Sequence, residues 1–213
     1  MSRRRAENLI RAGRVTLGGR VAILGDRADR ETAEIAIDGV PLPVRADLVY
    51  YLLNKPQGVI STADDPQGRT SVVDLVNAPT RVYPVGSLDA DSEGLLILTN
   101  DGTLAELLTH PRYQVSKTYL VRVVGSPARS ALRSLDQGVE LDDGIARARS
   151  VKIVGSHGNE ALVEVVMTEG RKREVRRMFD HLGYPVRRLV RTAIGPLRDA
   201  KLPPGQSLSL IHI

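Results

Sequence analysis

Three carboxylates, Asp89, Asp91 and Glu93, alternate with other residues just before an apolar run. Carboxylates at the first, third and fifth positions, followed by Gly94, are typical of the start of a calcium-binding loop. The twelfth position is Asn100, however, which cannot supply the bidentate carboxylate that such a loop needs. Positions seven to ten read Leu-Leu-Ile-Leu, which is typical of a buried strand. The pattern therefore favours a carboxylate in a loop before a core strand over a calcium site.

An acid in such a loop, Asp89 first among them, can be held rigidly beside a cleft and act as nucleophile or general base. A turn aspartate that only accepts backbone hydrogen bonds has the same spacing, and spacing alone favours that role. Tyr119 follows Lys117 at the start of a predicted strand. A tyrosine there either packs half-buried on the sheet or offers a surface on which a base can stack.

A basic segment at 169–179 reads Glu-Gly-Arg-Lys-Arg-Glu-Val-Arg-Arg-Met-Phe. Its apolar residues recur at helical spacing and predict a helix over 172–182. Arg173 and Arg177 lie opposite the apolar stripe, so they face water or phosphate. Arg176 lies at the edge of the stripe, where its guanidinium can reach a carboxylate and keep it ionised. A basic surface helix without any site has the same pattern.

The net charge of +5 comes from 30 basic and 25 acidic residues and is unevenly distributed. Residues 1–30 carry a net charge of +5 and residues 171–191 a net charge of +6, so the remainder is acidic. Two basic blocks of this kind favour a polyanion such as RNA or DNA as partner. The chain has no cysteine, which excludes disulfides and thiolate chemistry. Its histidines lack metal-ligand spacing and no phosphate-binding glycine loop is present, so no metal or cofactor is indicated.

The chain contains neither an apolar run long enough to span a membrane nor a signal-type start, which predicts a cytoplasmic protein without membrane contact. A small helix-plus-strands unit is predicted over 1–40, followed by a linker over 41–47 and a larger α+β domain over 48–200 with a largely antiparallel sheet. The expected strands are 48–53, 58–62, 82–88, 95–98, 118–124, 146–154, 161–168 and 186–194, and the expected helices are 70–76, 103–108, 127–135 and 172–182.

Four motifs, in this order, resemble those of the bacterial ribosomal pseudouridine synthases of the small-subunit-A and large-subunit-B type. They are Leu-Asn-Lys-Pro at 53–56, the run from Gly86 to Gly102, Lys-Thr-Tyr at 117–119 and the basic segment at 169–179. The resemblance covers nearly all of 3–205. It implies a pseudouridine synthase fold, with a mixed, mainly antiparallel sheet and a central cleft, preceded by a partial alpha-L RNA-binding module.

The resemblance also implies a reaction in which one uridine is isomerised to pseudouridine without metal or organic cofactor. Asp89 falls on the catalytic aspartate, Tyr119 on the tyrosine that stacks on uracil, and Arg176 on the basic residue that pairs with the aspartate. The target uridine has to swing out of its RNA context to reach the cleft. The basic residues expected to hold RNA phosphates are Arg3, Arg4, Arg5, Arg11, Arg14, Lys55, Lys117, Arg171, Lys172, Arg173 and Arg177.

The helix motif is closer to the large-subunit-B branch, which favours 23S rRNA as the substrate. A 16S-specific synthase and a non-catalytic RNA-binding or ribosome-assembly factor on the same fold are the alternatives. Ser87 stands where the family has an arginine that contacts RNA, so we expect weakened or abolished activity that Ser87→Arg restores. The resemblance implies a further helix before the run at 2–5, so we interpret the alpha-L module over 1–40 as partial. Residues 206–213 depart from the family pattern and are interpreted as a non-native tail.

Overall fold

The computed structural model describes residues 3–29, 32–42 and 47–210 of the chain. The chain forms two compact units, Met1–Asp47 and Leu48–Ile213. Their boundary falls at the end of the predicted linker, of which residues 43–46 lie outside the described residues.

The first unit consists of one helix and a small antiparallel sheet. Helix α1 spans Arg3–Arg11, and the strands are β1 (Val15–Leu17), β2 (Arg20–Val21), β3 (Ile35–Ile37) and β4 (Val40–Pro41). The strands lie in the order β2-β1-β3-β4. Gly18 and Gly19 connect β1 to β2 with φ of 55° and 81°, a left-handed backbone that glycine adopts without strain. Strand β4 occupies Pro41, which the sequence analysis assigned to the linker.

The second unit contains three helices and eleven strands in its described part. The helices are α2 (Gly102–Thr109), α3 (Arg129–Gln137) and α4 (Glu174–His181). The strands are β5 (Tyr50–Lys55), β6 (Tyr83–Pro84), β7 (Glu93–Thr99), β8 (Lys117–Val124), β9 (Val139–Leu141), β10 (Gly144–Ala146), β11 (Ser150–His157), β12 (Glu160–Met167), β13 (Val186–Ile194), β14 (Leu197–Arg198) and β15 (Ser207–Ser209). Short 3-10 helices span Val72–Leu75 and Pro111–Tyr113.

This unit is built on a nine-stranded mixed sheet, in which seven strands lie in the order β11-β12-β8-β13-β7-β5-β15. The other two strands pair with members of this row, β14 with β13 and β6 with β7. The pairings between its described strands are antiparallel except for that of β7 with β13. Gly94 permits this parallel contact, because a Cβ at its position would lie 2.2 Å from the carbonyl oxygen of Arg191. Helices α3 and α4 pack on one part of the sheet, around Val121, Leu135 and Phe179. The predicted α+β class is confirmed.

Several element bounds differ from those predicted. The expected strand over 82–88 is reduced to β6, since the chain then turns into the loop that carries Asp89. The expected helix over 172–182 begins only at Glu174, because Arg173 has a left-handed backbone with φ of 50°. The segment interpreted as a tail contributes strand β15, which pairs antiparallel with β5.

Candidate active site

A cavity of about 250 Å³ opens beside the loop between β6 and β7. Asp89 lies on this loop, Tyr119 on β8, and the residues before α4 form the opposite side. The lining residues are Ser87, Leu88, Asp89, Ser92, Tyr119, Met167, Glu169, Gly170, Arg171, Lys172, Arg173, Glu174, Val175 and Leu189. The structure thus brings the predicted Asp89 and Tyr119 to one cavity, together with three predicted RNA-binding cations.

Backbone hydrogen bonds fix the loop that carries Asp89. The Ser92 amide donates to the Asp89 carbonyl at 3.0 Å, and the Gly58 amide donates to the Ala90 carbonyl at 2.8 Å. The Ser61 hydroxyl donates to the Leu88 carbonyl at 2.8 Å and accepts from the Leu88 amide at 3.0 Å. These contacts hold the backbone on both sides of Asp89, so they fix the point at which its partly exposed side chain leaves the loop. No local pattern indicates this role of Ser61, because its two hydrogen bonds join it to Leu88, which is far away in the chain.

The Arg176 guanidinium pairs with Asp91 rather than with Asp89. Its Nη2 donates to the Asp91 carbonyl at 2.8 Å, and its Nε lies 3.4 Å from an Asp91 carboxylate oxygen. The cation within ion-pair distance of Asp89 is Arg173, at 3.9 Å. The expected pair of Arg176 with Asp89 is therefore wrong for this structure, because the Val186 carbonyl also accepts from Arg176, at 3.3 Å, and holds its side chain towards Asp91.

Arg173 joins the two aspartates of the loop. Its guanidinium donates to both Asp91 carboxylate oxygens, at 3.0 and 2.9 Å, and faces Asp89 at the longer distance given above. This bidentate hydrogen bond lowers the pKa of Asp91 against the opposing effect of its partial burial. The left-handed backbone of Arg173 turns its side chain to the loop, which periodicity along a helix does not predict.

Lys55 was predicted to bind RNA, and this prediction is wrong because its side chain is fully buried. Its ammonium donates to the carbonyls of Ser92 and Pro56, at 2.7 and 3.0 Å, below the loop that carries Asp89. Burial lowers its pKa to about 8, although the charges of Asp89 and Asp91 act in the opposite direction. In the structure, Lys55 supports the loop from within the core.

The remaining predicted cations of the second unit differ in accessibility. Lys172 is exposed at the cavity and Lys117 is half-buried. Arg171 is partly buried and donates to Glu174 at 3.0 Å, to Glu169 at 3.1 Å and to the backbone at 143–145. Arg177 donates to both carboxylate oxygens of Asp143, each at 2.9 Å. Lys172 therefore presents the most available positive charge of this group at the cavity, because Lys117 does not line it and the arginines pair with carboxylates.

The predicted arginines of the first unit lie on and after α1. Arg4, Arg5 and Arg11 are exposed, whereas the Arg3 side chain is outside the described part of the structure. Arg14 donates to Asp38 through two nitrogens, and this pair lowers the pKa of the Asp38 carboxyl. The exposed arginines form a basic helix face that can meet phosphate.

Across 3–29, 32–42 and 47–210, no group of three or more potential ligand side chains is placed to hold a metal ion. Within the same ranges, no helix has the length and apolar character required to cross a bilayer.

The fold and this cavity define the class of the protein. A solved pseudouridylate synthase superposes with a TM-score of 0.72 at 27% sequence identity, over 100% of this chain and 91% of the other. The sequence model of the RNA pseudouridylate synthase family matches residues 49–181. The chain therefore belongs to the RNA pseudouridylate synthase family, and the enzyme class is that of an isomerase.

Two relatives illustrate the similarity. An uncharacterised RNA pseudouridine synthase of Mycobacterium leprae is 46% identical over 99% of this chain and 84% of its own length. The ribosomal large subunit pseudouridine synthase B of Bacillus subtilis is 41% identical over 89% of this chain and 79% of its own length. The predicted family and fold are confirmed by these comparisons.

Proposed function

We propose that this pseudouridine synthase isomerises a uridine of 23S rRNA, with Asp89 as the catalytic carboxylate. The observation that carries the proposal is the placement of Asp89 and Tyr119 in one cavity beside exposed cations. The rRNA substrate is supported by the Bacillus subtilis relative and by a Vibrio cholerae relative, 43% identical, that are both named for the ribosomal large subunit. The substrate is rRNA, either free or within a pre-ribosomal particle, and we therefore expect the enzyme to act in the cytoplasm.

The geometry suits a uridine that has left its stack. The Tyr119 ring stacks on the uracil, and the Asp89 carboxylate contacts C1′ of the ribose. The bond from C1′ to N1 breaks, the uracil turns, and C5 bonds to C1′. The proton of C5 goes to solvent and N1 gains one, so the atoms balance without a co-reactant. Lys172 and the exposed arginines of α1 hold the backbone phosphates.

Arg176 has a positioning role in this scheme. It is 6% exposed and is bonded to the Asp91 backbone, two residues from Asp89. Its charge lies at the base of the catalytic loop and, after the hydrogen bond from Arg173, helps to lower the pKa of Asp91. Rupture of this contact by Arg176→Met would allow the loop to move and would reduce the rate of isomerisation.

Mapping of pseudouridines in rRNA from cells with and without this gene tests the substrate. We expect a 23S position to revert to uridine in the deletion strain and to be restored by the wild-type gene but not by Asp89→Asn. Loss of a 16S position instead would identify a small-subunit enzyme. No change at any uridine would contradict the proposal and favour a non-catalytic RNA-binding factor.

A further inference from the structure

A second cavity adjoins the one that holds Asp89. Its volume is about 250 Å³, somewhat below the roughly 300 Å³ at which pockets for drug-sized molecules begin. The residues that line both cavities are Ser87, Tyr119, Glu169, Gly170 and Arg171. A group in the second cavity would therefore lie directly beside a uridine in the first, and the size suits one heterocyclic ring system.

Apolar side chains form much of the wall of this second cavity. They belong to Val85, Ile97, Leu108, Pro111 and Ile194. Such a wall packs well against the flat faces of a base. Its apolar side chains cannot replace the hydrogen bonds with water that a free ion would lose on entering.

Two cations, Lys117 and Arg191, also line the second cavity. Arg191 is 4% exposed, and its Nε donates to the Leu95 carbonyl at 2.7 Å. Its Nη2 is buried and has no hydrogen-bond partner. Burial, together with the charge of Arg191, lowers the pKa of the half-buried Lys117 ammonium. Within the described ranges, no carboxylate lies within 4.0 Å of either cation.

The contrast with neighbouring arginines makes this pair of cations distinctive. Arg171, Arg173 and Arg176 each have a carboxylate within ion-pair distance. A buried guanidinium nitrogen without an acceptor is unfavourable, so a ligand that brings acceptors to Arg191 gains affinity. Arg191 was overlooked in the sequence, although Leu189, Arg191 and Ala193 alternate on the buried face of β13.

Glu169 supplies a third polar group to the cavity. Its carboxylate accepts from Arg171 at 3.1 Å, and a carboxylate offers about four acceptor sites in all. Burial and a hydrogen bond with Glu169 raise the pKa of Glu174, so part of this acceptor capacity faces Glu174. A carboxylate in the wall repels a phosphate but accepts hydrogen bonds from ring N–H groups. The combination of apolar walls, two cations and one carboxylate therefore favours a neutral base over a phosphate.

We propose that the second cavity binds a guanine base of the substrate RNA close to the isomerised uridine. Guanine presents two adjacent acceptors, O6 and N7, which match Arg191 and Lys117. Its ring and amino N–H groups face Glu169, and its faces pack on the apolar wall. Adenine places an N–H donor beside its N7 and would meet the cations unfavourably. The inference rests on the proposed function for the RNA substrate and for the uridine in the cavity of Asp89.

Direct binding of nucleosides tests the subsite without any catalysis. Saturation-transfer NMR on the full chain would compare guanosine, adenosine, cytidine and inorganic phosphate. We expect guanosine to bind tightest and its affinity to fall about tenfold in Lys117→Met, the loss of one good contact. Lys152→Met is the matched control, because Lys152 is exposed on β11 and pairs with Glu164. Equal guanosine binding in Lys117→Met, a preference for another nucleoside, or displacement of guanosine by phosphate would overturn the proposal.

Abasic substitutions near the target uridine test the same subsite in RNA. Removal of the base from one guanosine keeps its phosphate, so it separates base recognition from backbone contact. We expect one such position to slow tritium release from C5-labelled uridine by about tenfold for the wild type and by less than twofold for Lys117→Met. If the wild type releases tritium and no abasic position matters, the guanine subsite is refuted while the synthase function stands. If no RNA releases tritium, the proposed function fails and nucleoside binding still decides the subsite.

Discussion

Replacement of the buried Lys55 by methionine has an effect that the structure specifies in detail. The Lys55 side chain is 0% exposed, and its ammonium donates to the Ser92 carbonyl at 2.7 Å. Burial lowers its pKa from 10.5 to about 8. Methionine keeps the length of the side chain and removes the charge, so Lys55→Met separates the cost of the buried charge from the packing of the site.

The sign of the pH effect follows from proton linkage. Between pH 8 and pH 10.5 the unfolded chain holds the Lys55 proton that the folded chain has lost. The free energy of unfolding of the wild type therefore rises with pH across this window. The full shift corresponds to about 3 kcal/mol, of which about 2 kcal/mol fall between about pH 7.5 and pH 10.

Urea unfolding at these two pH values measures the effect. We expect the stability of Lys55→Met relative to the wild type to fall by about 2 kcal/mol between the lower and the higher pH, because only the wild type gains. The exposed Lys152→Met should show no such change. An equal pH dependence of Lys55→Met and wild type would refute the assignment of a lowered pKa to Lys55.

Three further predictions concern the loop, the parallel strand contact and the first unit. Ser87→Arg should raise the rate of tritium release, since it adds a cation at the cavity, and should reduce the preference for a neighbouring guanine by filling the second cavity; equal rates would refute this. Gly94→Ala should lower the unfolding free energy by about 3 kcal/mol or more, measured by thermal unfolding, because its Cβ would lie 2.2 Å from the Arg191 carbonyl oxygen at a φ of 109°. Amide exchange should be faster in residues 3–42 than in 48–210, because a unit of this size buries little apolar surface; equally slow exchange would contradict this.

Local sequence patterns predicted the elements in which buried and exposed residues alternate regularly. Strand β13 has its expected bounds, and β12 lies within one residue of them, whereas β11 begins four residues later than expected because residue 146 belongs to β10. The residue run at 95–98 predicted the buried centre of β7. The parallel pairing of β7 with β13 was not predicted, since it joins residues about one hundred positions apart and depends on the missing side chain of Gly94.

The sequence predicted which residues line the site better than it predicted which of them contact one another. Asp89 and Tyr119 share a cavity, which the motifs indicated. Lysine is usually a surface residue, but Lys55 lies in the core. The charges of Asp89, Asp91 and Glu93 offset part of the cost of burying its ammonium. Arg176 pairs with Asp91 because its position at the edge of α4 faces the end of the loop, two residues beyond the expected partner. The direction of these side chains depends on tertiary packing, which local sequence does not specify.

The most direct test of the account compares Asp89→Asn with Asp91→Asn in tritium release from C5-labelled uridine in the rRNA. Both aspartates lie on one loop, and Asp91 is the partner of Arg173 and Arg176. With Asp89 as the catalytic carboxylate, we expect Asp89→Asn to lose at least about a hundredfold in rate, and Asp91→Asn to retain activity well above it. Full activity of Asp89→Asn, or a larger loss in Asp91→Asn, would contradict the central role of Asp89.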